Sequence, residues 1–250
     1  MAMSGVLREV EAELFHYLLY PATVPIIAAK AGEEAGAMPA VWTTSISMSP
    51  PLLITAIAPE RRTYRLVRES GYFTVNLLDF SRADALAFVG DVSGRVVRDK
   101  LERAGLTLVP AWKIPSVAVG EAVAVIECEL KQVVDVGGDH DIFVGRVVAA
   151  YASEDFTEGG WRLEKYKPIL YVGRSRRPGP VKRRFATVGP LVEFEYARGM
   201  TDAVEKRRHM QSAAEEAVAE FAKRLDLDVG DAAYLLLDAL KNLLSKKWKG

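Results

Sequence analysis

The chain has 250 residues, half of them apolar, which suits one generous domain or one domain with an appendage. Thirty-three Lys plus Arg balance thirty-three Asp plus Glu, so no global field draws nucleic acid or an anionic membrane surface. The single cysteine, Cys128, excludes an intramolecular disulfide and any CxxC redox or zinc motif. His16, His140 and His209 are scattered, which argues against a dedicated metal site. The N-terminus lacks the apolar stretch of a signal peptide, and no run reaches about 18 apolar residues. A cytoplasmic protein without a membrane span is therefore expected. Asn and Gln occur only twice each, a bias found among thermophile proteins.

Taken in order, Leu7, Val10, Leu14 and Leu18 fall at helical spacing, so an amphipathic helix within residues 1–19 precedes the body. Val24 to Ala29 reads as a strand, Lys30 to Ala37 as a turn, and Met38 to Ser45 as its hairpin partner. Pro50 and Pro51 mark a turn or strand start, and Leu52 to Ala58 is an apolar run of strand length. Tyr64 to Arg68 is a short helical pattern ended by Gly71, and Phe73 to Leu78 is the next strand. Ser81 to Asp84 resembles a capping box opening a helix through Phe88. Ser93-Gly94-Arg95 leads to a helix from Val96 to Ala104, which Gly105 closes.

Glu121 to Val136 is the clearest strand. Ala122, Ala124, Ile126, Cys128 and Leu130 share one face, while Glu121, Glu127, Glu129 and Lys131 lie on the other. Gly137-Gly138-Asp139 turns the chain, His140 to Tyr151 returns, and Ile169 to Val172 closes a last strand. Residues 174–200 read as a basic linker or arm, since Arg174 to Arg184 holds six basic residues and no acidic one. Residues 201–250 carry two apolar helical faces, the pattern of a helical hairpin. Many non-local strands with short helices suggest a mainly β (α+β) domain over residues 20–173, an antiparallel barrel rather than a doubly wound sheet. No G-x-G-x-x-G follows any strand, which argues against a Rossmann site.

The segment from Trp42 to Thr63 carries the chemistry. Arg61, Arg62 and Thr63 stand where a strand gives way to a helix, so two guanidiniums, a hydroxyl and free N–H groups make a phosphate site. Upstream, Trp42, Thr43, Thr44 and Ser45 offer an aromatic surface and three hydroxyls, which suits a phosphorylated aromatic ligand. Plainer readings stand beside these. Thr43 to Ser45 fits an edge strand facing water, and Arg61 and Arg62 fit surface cations paired with Glu60 or Glu69.

Several ordered motifs resemble the flavin reductase-like, FMN-binding split-barrel family, which includes flavoredoxins and NAD(P)H:flavin oxidoreductases. They are Tyr20-Pro21-Ala22-Thr23-Val24, Trp42 to Pro51, Glu60 to Tyr64, Gly71 to Asn76, Ser93-Gly94-Arg95 with Asp99-Lys100-Leu101, and Gly138-Asp139-His140 with Gly145. The resemblance implies a Greek-key split antiparallel barrel and a homodimer with FMN at the subunit interface, FAD being the less favoured flavin. Thr43, Thr44 and Ser45 would then follow the flavin ring and ribityl chain beside Trp42. Arg61, Arg62 and Thr63 would take the phosphate, while Asn76, Ser93, Gly94, Arg95 and Lys100 complete the pocket. His140 would position the nicotinamide of NAD(P)H.

The implied activity is hydride transfer from NAD(P)H and onward passage of electrons to free flavin, a ferric complex or a redox partner. Alternatives are a non-catalytic FMN-binding electron carrier, a flavin-free interaction module and, less attractively, a pyridoxamine-phosphate oxidase relative. Two features depart from the family. Gly36-Ala37-Met38 replaces a turn that often carries Asn, and the residues after Arg184 lie outside the common core.

Overall fold

The computed structural model describes residues 7–174, 183–189, 218–220, 222, 223, 228 and 236. The chain divides into two units, Met1–Leu191 and Val192–Gly250. In the second unit, residues 218–220, 222, 223 and 236 are helical and Ala222 is buried. The rest of the expected helical hairpin lies outside the described residues.

In the first unit a 3₁₀ helix, Ala12–Leu19, takes the place of the expected amphipathic helix. Its apolar residues Phe15, Leu18 and Leu19 are exposed, so no burial holds them to α-helical spacing. The strands β1 (Ala22–Thr23), β2 (Ile26–Ala31), β3 (Glu34–Pro39), β4 (Thr43–Met48) and β5 (Pro51–Ile57) lead into helix α1 (Arg62–Ser70). Next come β6 (Tyr72–Leu77), α2 (Ala83–Asp91), α3 (Lys100–Arg103), β7 (Leu108–Pro110) and β8 (Val117–Val119). The long pair β9 (Ala124–Val134) and β10 (Asp141–Ala152) follows, then β11 (Phe156–Thr157), β12 (Gly160–Trp161), β13 (Leu170–Arg174) and β14 (Arg183–Ala186).

Seven strands form one antiparallel sheet in the order β3-β2-β6-β9-β10-β5-β4. Its two edges, β3 and β4, are consecutive in the chain and joined only by Ala40, Val41 and Trp42. Laid flat, the edges would stand roughly 29 Å apart at about 4.8 Å per step. Four Cα steps from Pro39 to Thr43 reach at most about 14 Å. The sheet must roll up, and this rolled antiparallel sheet with few short helices is the expected split barrel. Both faces of β2 are consequently covered. Ile26 and Ala28 pack with Leu86, Val89 and Leu106, while Ile27 and Ala29 pack with Leu66, Phe73 and Phe143.

Several local expectations are corrected. The β2–β3 turn is Gly32-Glu33 alone, with Gly32 at φ +56°. Pairing therefore runs on to Ala31 and Glu34, despite the poor strand residues around it. The segment from Met38 to Ser45 is split between β3 and β4. The expected capping box at Ser81 does not form: α2 follows Arg82 without a side-chain cap bond, and it is the Asp79 carboxylate that accepts the Ser81 N–H at 2.9 Å, capping the 3₁₀ turn Phe80–Arg82 ahead of α2. The helix expected from Val96 shortens to α3, because Ser93 O accepts from Val96 and Val97 and turns the chain first.

Glu127, assigned to the solvent face of β9, is fully buried. Its carboxylate accepts the Trp112 and Lys113 N–H groups at 2.6 and 2.8 Å, and these bonds compensate its burial. Within the expected basic arm, Arg183 to Ala186 forms β14 against β13, since alternation of Arg183 and Phe185 suits a strand edge better than a solvated tether.

Two scaffold residues yield direct tests. A Cβ on Gly145 would fall 2.5 Å from the buried Phe73 ring, so Gly145→Ala should cost about 1–3 kcal/mol by denaturant unfolding. Adding Phe73→Leu should recover part of that loss. The Asn76 amide donates to Ile26 O and Thr74 Oγ1, and its oxygen accepts the Val119 N–H at 2.9 Å. Asn76→Ala strands those groups in the core and should cost about 2–4 kcal/mol in the same assay.

Candidate flavin site

The seam of the rolled sheet opens into a cavity of 890 Å³, within the ~300–1,000 Å³ common for small-molecule sites. Ala40, Val41 and Trp42, the connection between the two sheet edges, all line it. One end is cationic. Arg61 is the N-cap of α1, without a side-chain cap bond, and the first turn carries no acidic residue. The helix start therefore faces the cavity with its own partial positive charge. Thr63 in that turn is 2% exposed, lines the cavity, and its hydroxyl has no partner among the described residues.

Arg62 is held from two sides, donating Nε to Glu34 at 2.7 Å and Nη1 to Gly94 O at 3.3 Å. Lys100 is buried, and its Nζ donates to Val89 O at 2.9 Å and Val92 O at 3.1 Å. Those two bonds leave one of its three donors uncommitted. Burial first, then the nearby Arg61 and Arg62 charges, bring Lys100 down to about 8. A Cβ on Gly94 would stand 3.4 Å from Lys100 Cε and 3.8 Å from Arg62 Cδ. Glycine there keeps open a cradle between the two cations. Glu34, bonded first by Arg65 and then by Arg62, is held below the usual carboxylate range.

The other end is aromatic. The Trp42 ring lies 4.8 Å from His140 and 6.2 Å from His16, Tyr20 lies 5.3 Å from Tyr171, and Tyr171 lies 5.6 Å from Phe185. All six line the cavity. Burial pushes the Tyr20 phenol up, partly offset by its hydrogen bond with Trp42. Trp42 is fixed through its carbonyl, which accepts the Ala56 N–H at 2.9 Å. His140 Nδ1 stands 2.8 Å from Asp139 Oδ1 just before β10.

The structure thus gathers Trp42, Arg61, Arg62, Thr63, Ser93, Gly94, Lys100 and His140 around one space. Thr43, Thr44, Ser45, Asn76 and Arg95 do not line it. Thr43 Oγ1 is spent on Ala40 O and Thr55, and Thr44 and Ser45 are exposed on the β4 edge. Asn76 is a core bracket, and Arg95 stands on an exposed turn. Sequence reasoning passed over Tyr17, Tyr171 and Phe185 as site residues. The only signal for them was the aromatic density of Phe15-His16-Tyr17 with Tyr20, since strand pairing within the β1-β13-β14 sheet brings the others in.

A monophosphate with an aromatic head fits this arrangement. Orphan hydroxyl, helix start, open glycine cradle and unused lysine donor converge at one end, and stacking surfaces stand at the other. Among the described residues no cluster of three His, Cys, Asp or Glu offers a metal site, and no helix is long and apolar enough to cross a membrane.

Comparison with known proteins agrees. A protein of Aeropyrum pernix is 40% identical across 98% of both chains. The NADH-dependent FAD reductase of Streptomyces globisporus is 28% identical over 62% of this chain and 85% of that one. The FMN-binding protein of Thermus thermophilus superposes with a TM-score of 0.57 at 29% identity, covering 76% of this chain and all of that one. Flavoredoxin of Desulfovibrio vulgaris (Miyazaki F) shares the fold, with a TM-score of 0.61 at 23% identity over 80% of this chain and all of its own. Residues 17–180 match the flavin reductase like domain, and the chain belongs to that family.

Proposed function

We propose that this protein is an FMN-binding oxidoreductase that takes hydride from NAD(P)H and passes the electrons to free flavin, a ferric complex or a redox partner. The observation that carries this reading is the single cavity joining a helix-start cation cluster to an aromatic wall. Arg61, Arg62, Thr63 and Lys100 would hold the phosphate, and Ser93 and Gly94 would close around it. Trp42 would flank the ring. Bound flavin supplies the two-electron redox chemistry. The chain's own residues orient, exclude water and control access, and no side chain is an obligatory acid or base. His140, braced by Asp139, would position a nicotinamide carboxamide against the aromatic end.

The β4 edge supports a homodimer. Met48 is 95% exposed and Ile46 51% on an edge strand that pairs only with β5, a feature that folded proteins ordinarily cover. A partner seated there would bring Thr44 and Ser45 into an interface, the setting in which the family resemblance implies that they follow the flavin. Visible spectra of the purified protein before and after anaerobic NADH separate the alternatives: a non-catalytic FMN carrier is yellow and does not bleach, and a flavin-free module is colourless.

Replacing Arg61, Arg62 and Thr63 together should abolish FMN retention, whereas His140→Ala should chiefly raise KM for the nicotinamide with FMN affinity kept. A triple variant that purifies yellow with undiminished affinity would sink the phosphate assignment. Affinity should also follow the charge of Lys100. A bound phosphate raises the Lys100 pKa, so with the phosphate dianionic FMN titrations should be flat from about pH 7 to 8 and weaken above it, up to roughly tenfold per pH unit. Lys100→Met should flatten that profile. Stability of the flavin-free protein should move the other way. The folded lysine releases its proton at about 8 and the unfolded one near 10.5, so stability rises with pH across that window.

A further inference from the structure

We infer that Arg174 and Arg183 form a second phosphate-binding point in the same cavity, suited to the second phosphate of a dinucleotide. The inference rests on the proposed nucleotide reading of the first point. In the β13–β14 pair, Arg174 stands directly opposite Arg183, and like charges so placed repel one another. Arg183 donates to Asp91, but Arg174 has no carboxylate partner among the described residues. Both line the cavity, alongside Tyr171 and Phe185, whose rings meet at 5.6 Å.

The two cationic groups meet over one turn of chain. Asp91, which holds Arg183, sits between Val89 and Val92, whose carbonyls hold Lys100. A monophosphate at the α1 start leaves Arg174 without a counter-charge among the described residues, Arg183 alone being paired with Asp91. A ligand with a further phosphate would neutralise it, and the adjoining rings would stack on a base. Arginine suits that task through its planar fork of donors. The phosphate could belong to a flavin dinucleotide or to the nicotinamide donor, and the two sources give different results.

Calorimetric titration of the full chain with FMN and FAD, and of FMN-loaded protein with ADP and 2′,5′-ADP, tests it. Arg174→Gln and Arg183→Gln should leave FMN affinity within about twofold. They should weaken either FAD or the adenosine phosphates by about tenfold or more. Loss confined to FAD assigns the point to the flavin, and loss confined to ADP or 2′,5′-ADP assigns it to the nicotinamide donor. Should Arg183→Gln fail to fold without its Asp91 pair, the exposed Arg174→Gln decides, with Arg183→Lys retaining the charge. Equal loss for FMN and dinucleotides, no loss for any, or a wild-type chain that binds neither FAD nor the adenosine phosphates would overturn the subsite. A chain that binds ADP but no flavin would keep it and sink the flavin reading.

Discussion

The site depends on like charges kept at close quarters. Arg61, Arg62 and Lys100 surround the start of α1, a point that already carries partial positive charge. Burial first and then repulsion from Arg61 and Arg62 bring Lys100 down to about 8. What holds the cluster in place is chiefly neutral, namely the carbonyls of Val89, Val92 and Gly94. The carboxylate that binds Arg62 belongs to Glu34, which does not line the cavity. The chain thus braces its cations from behind and leaves their free donors to an anion. The chain carries no net charge, yet cations in the cavity lining outnumber its carboxylates, Glu60, Asp99 and Glu102, of which Glu60 stands 3.7 Å from Arg61 Nε.

Closure of the sheet places the rest. The link between β3 and β4 is too short for a flat sheet, so the edges approach and the three linking residues become cavity wall. Trp42 owes its position to that geometric necessity. Tyr171 and Phe185 reach the same space through the separate β1-β13-β14 sheet. The cavity therefore follows from closing the rolled sheet at its seam beside the smaller sheet, and the mouth of a β-barrel is a common place for ligand sites.

What the sequence disclosed follows from how local each signal is. Arg61-Arg62-Thr63 was legible because strand end, helix start and side-chain chemistry fall within three consecutive residues, and Gly71 marks the helix end with φ +73°. Long alternating runs likewise disclosed β9 and β10. Glu127 was misplaced because alternation reports only which face a residue takes. The N–H groups that make a buried carboxylate tolerable lie in the distant 112–113 loop. Asn76 is a similar case, since its three partners come from β2, β6 and the edge of β8. Strand β14 was hidden by charge, as its arginines read as solvated until a partner strand and Asp91 account for them.

These buried polar groups fall into two kinds, and the division separates scaffold from site. Asn76 and Glu127 have their hydrogen-bonding capacity spent within the chain, so they fix strand positions and offer nothing to a ligand. Thr63 and Lys100 are buried to a similar degree, yet each keeps capacity that faces the cavity. Unspent polar groups in a low-dielectric setting weaken the empty fold and strengthen whatever charge-assisted bond later forms there. A helix start without a cap adds to the same imbalance. The residues that cost the flavin-free protein stability are for that reason the ones that can hold a phosphate, and the fully bonded core around Asn76 and Glu127 is what lets the fold carry them.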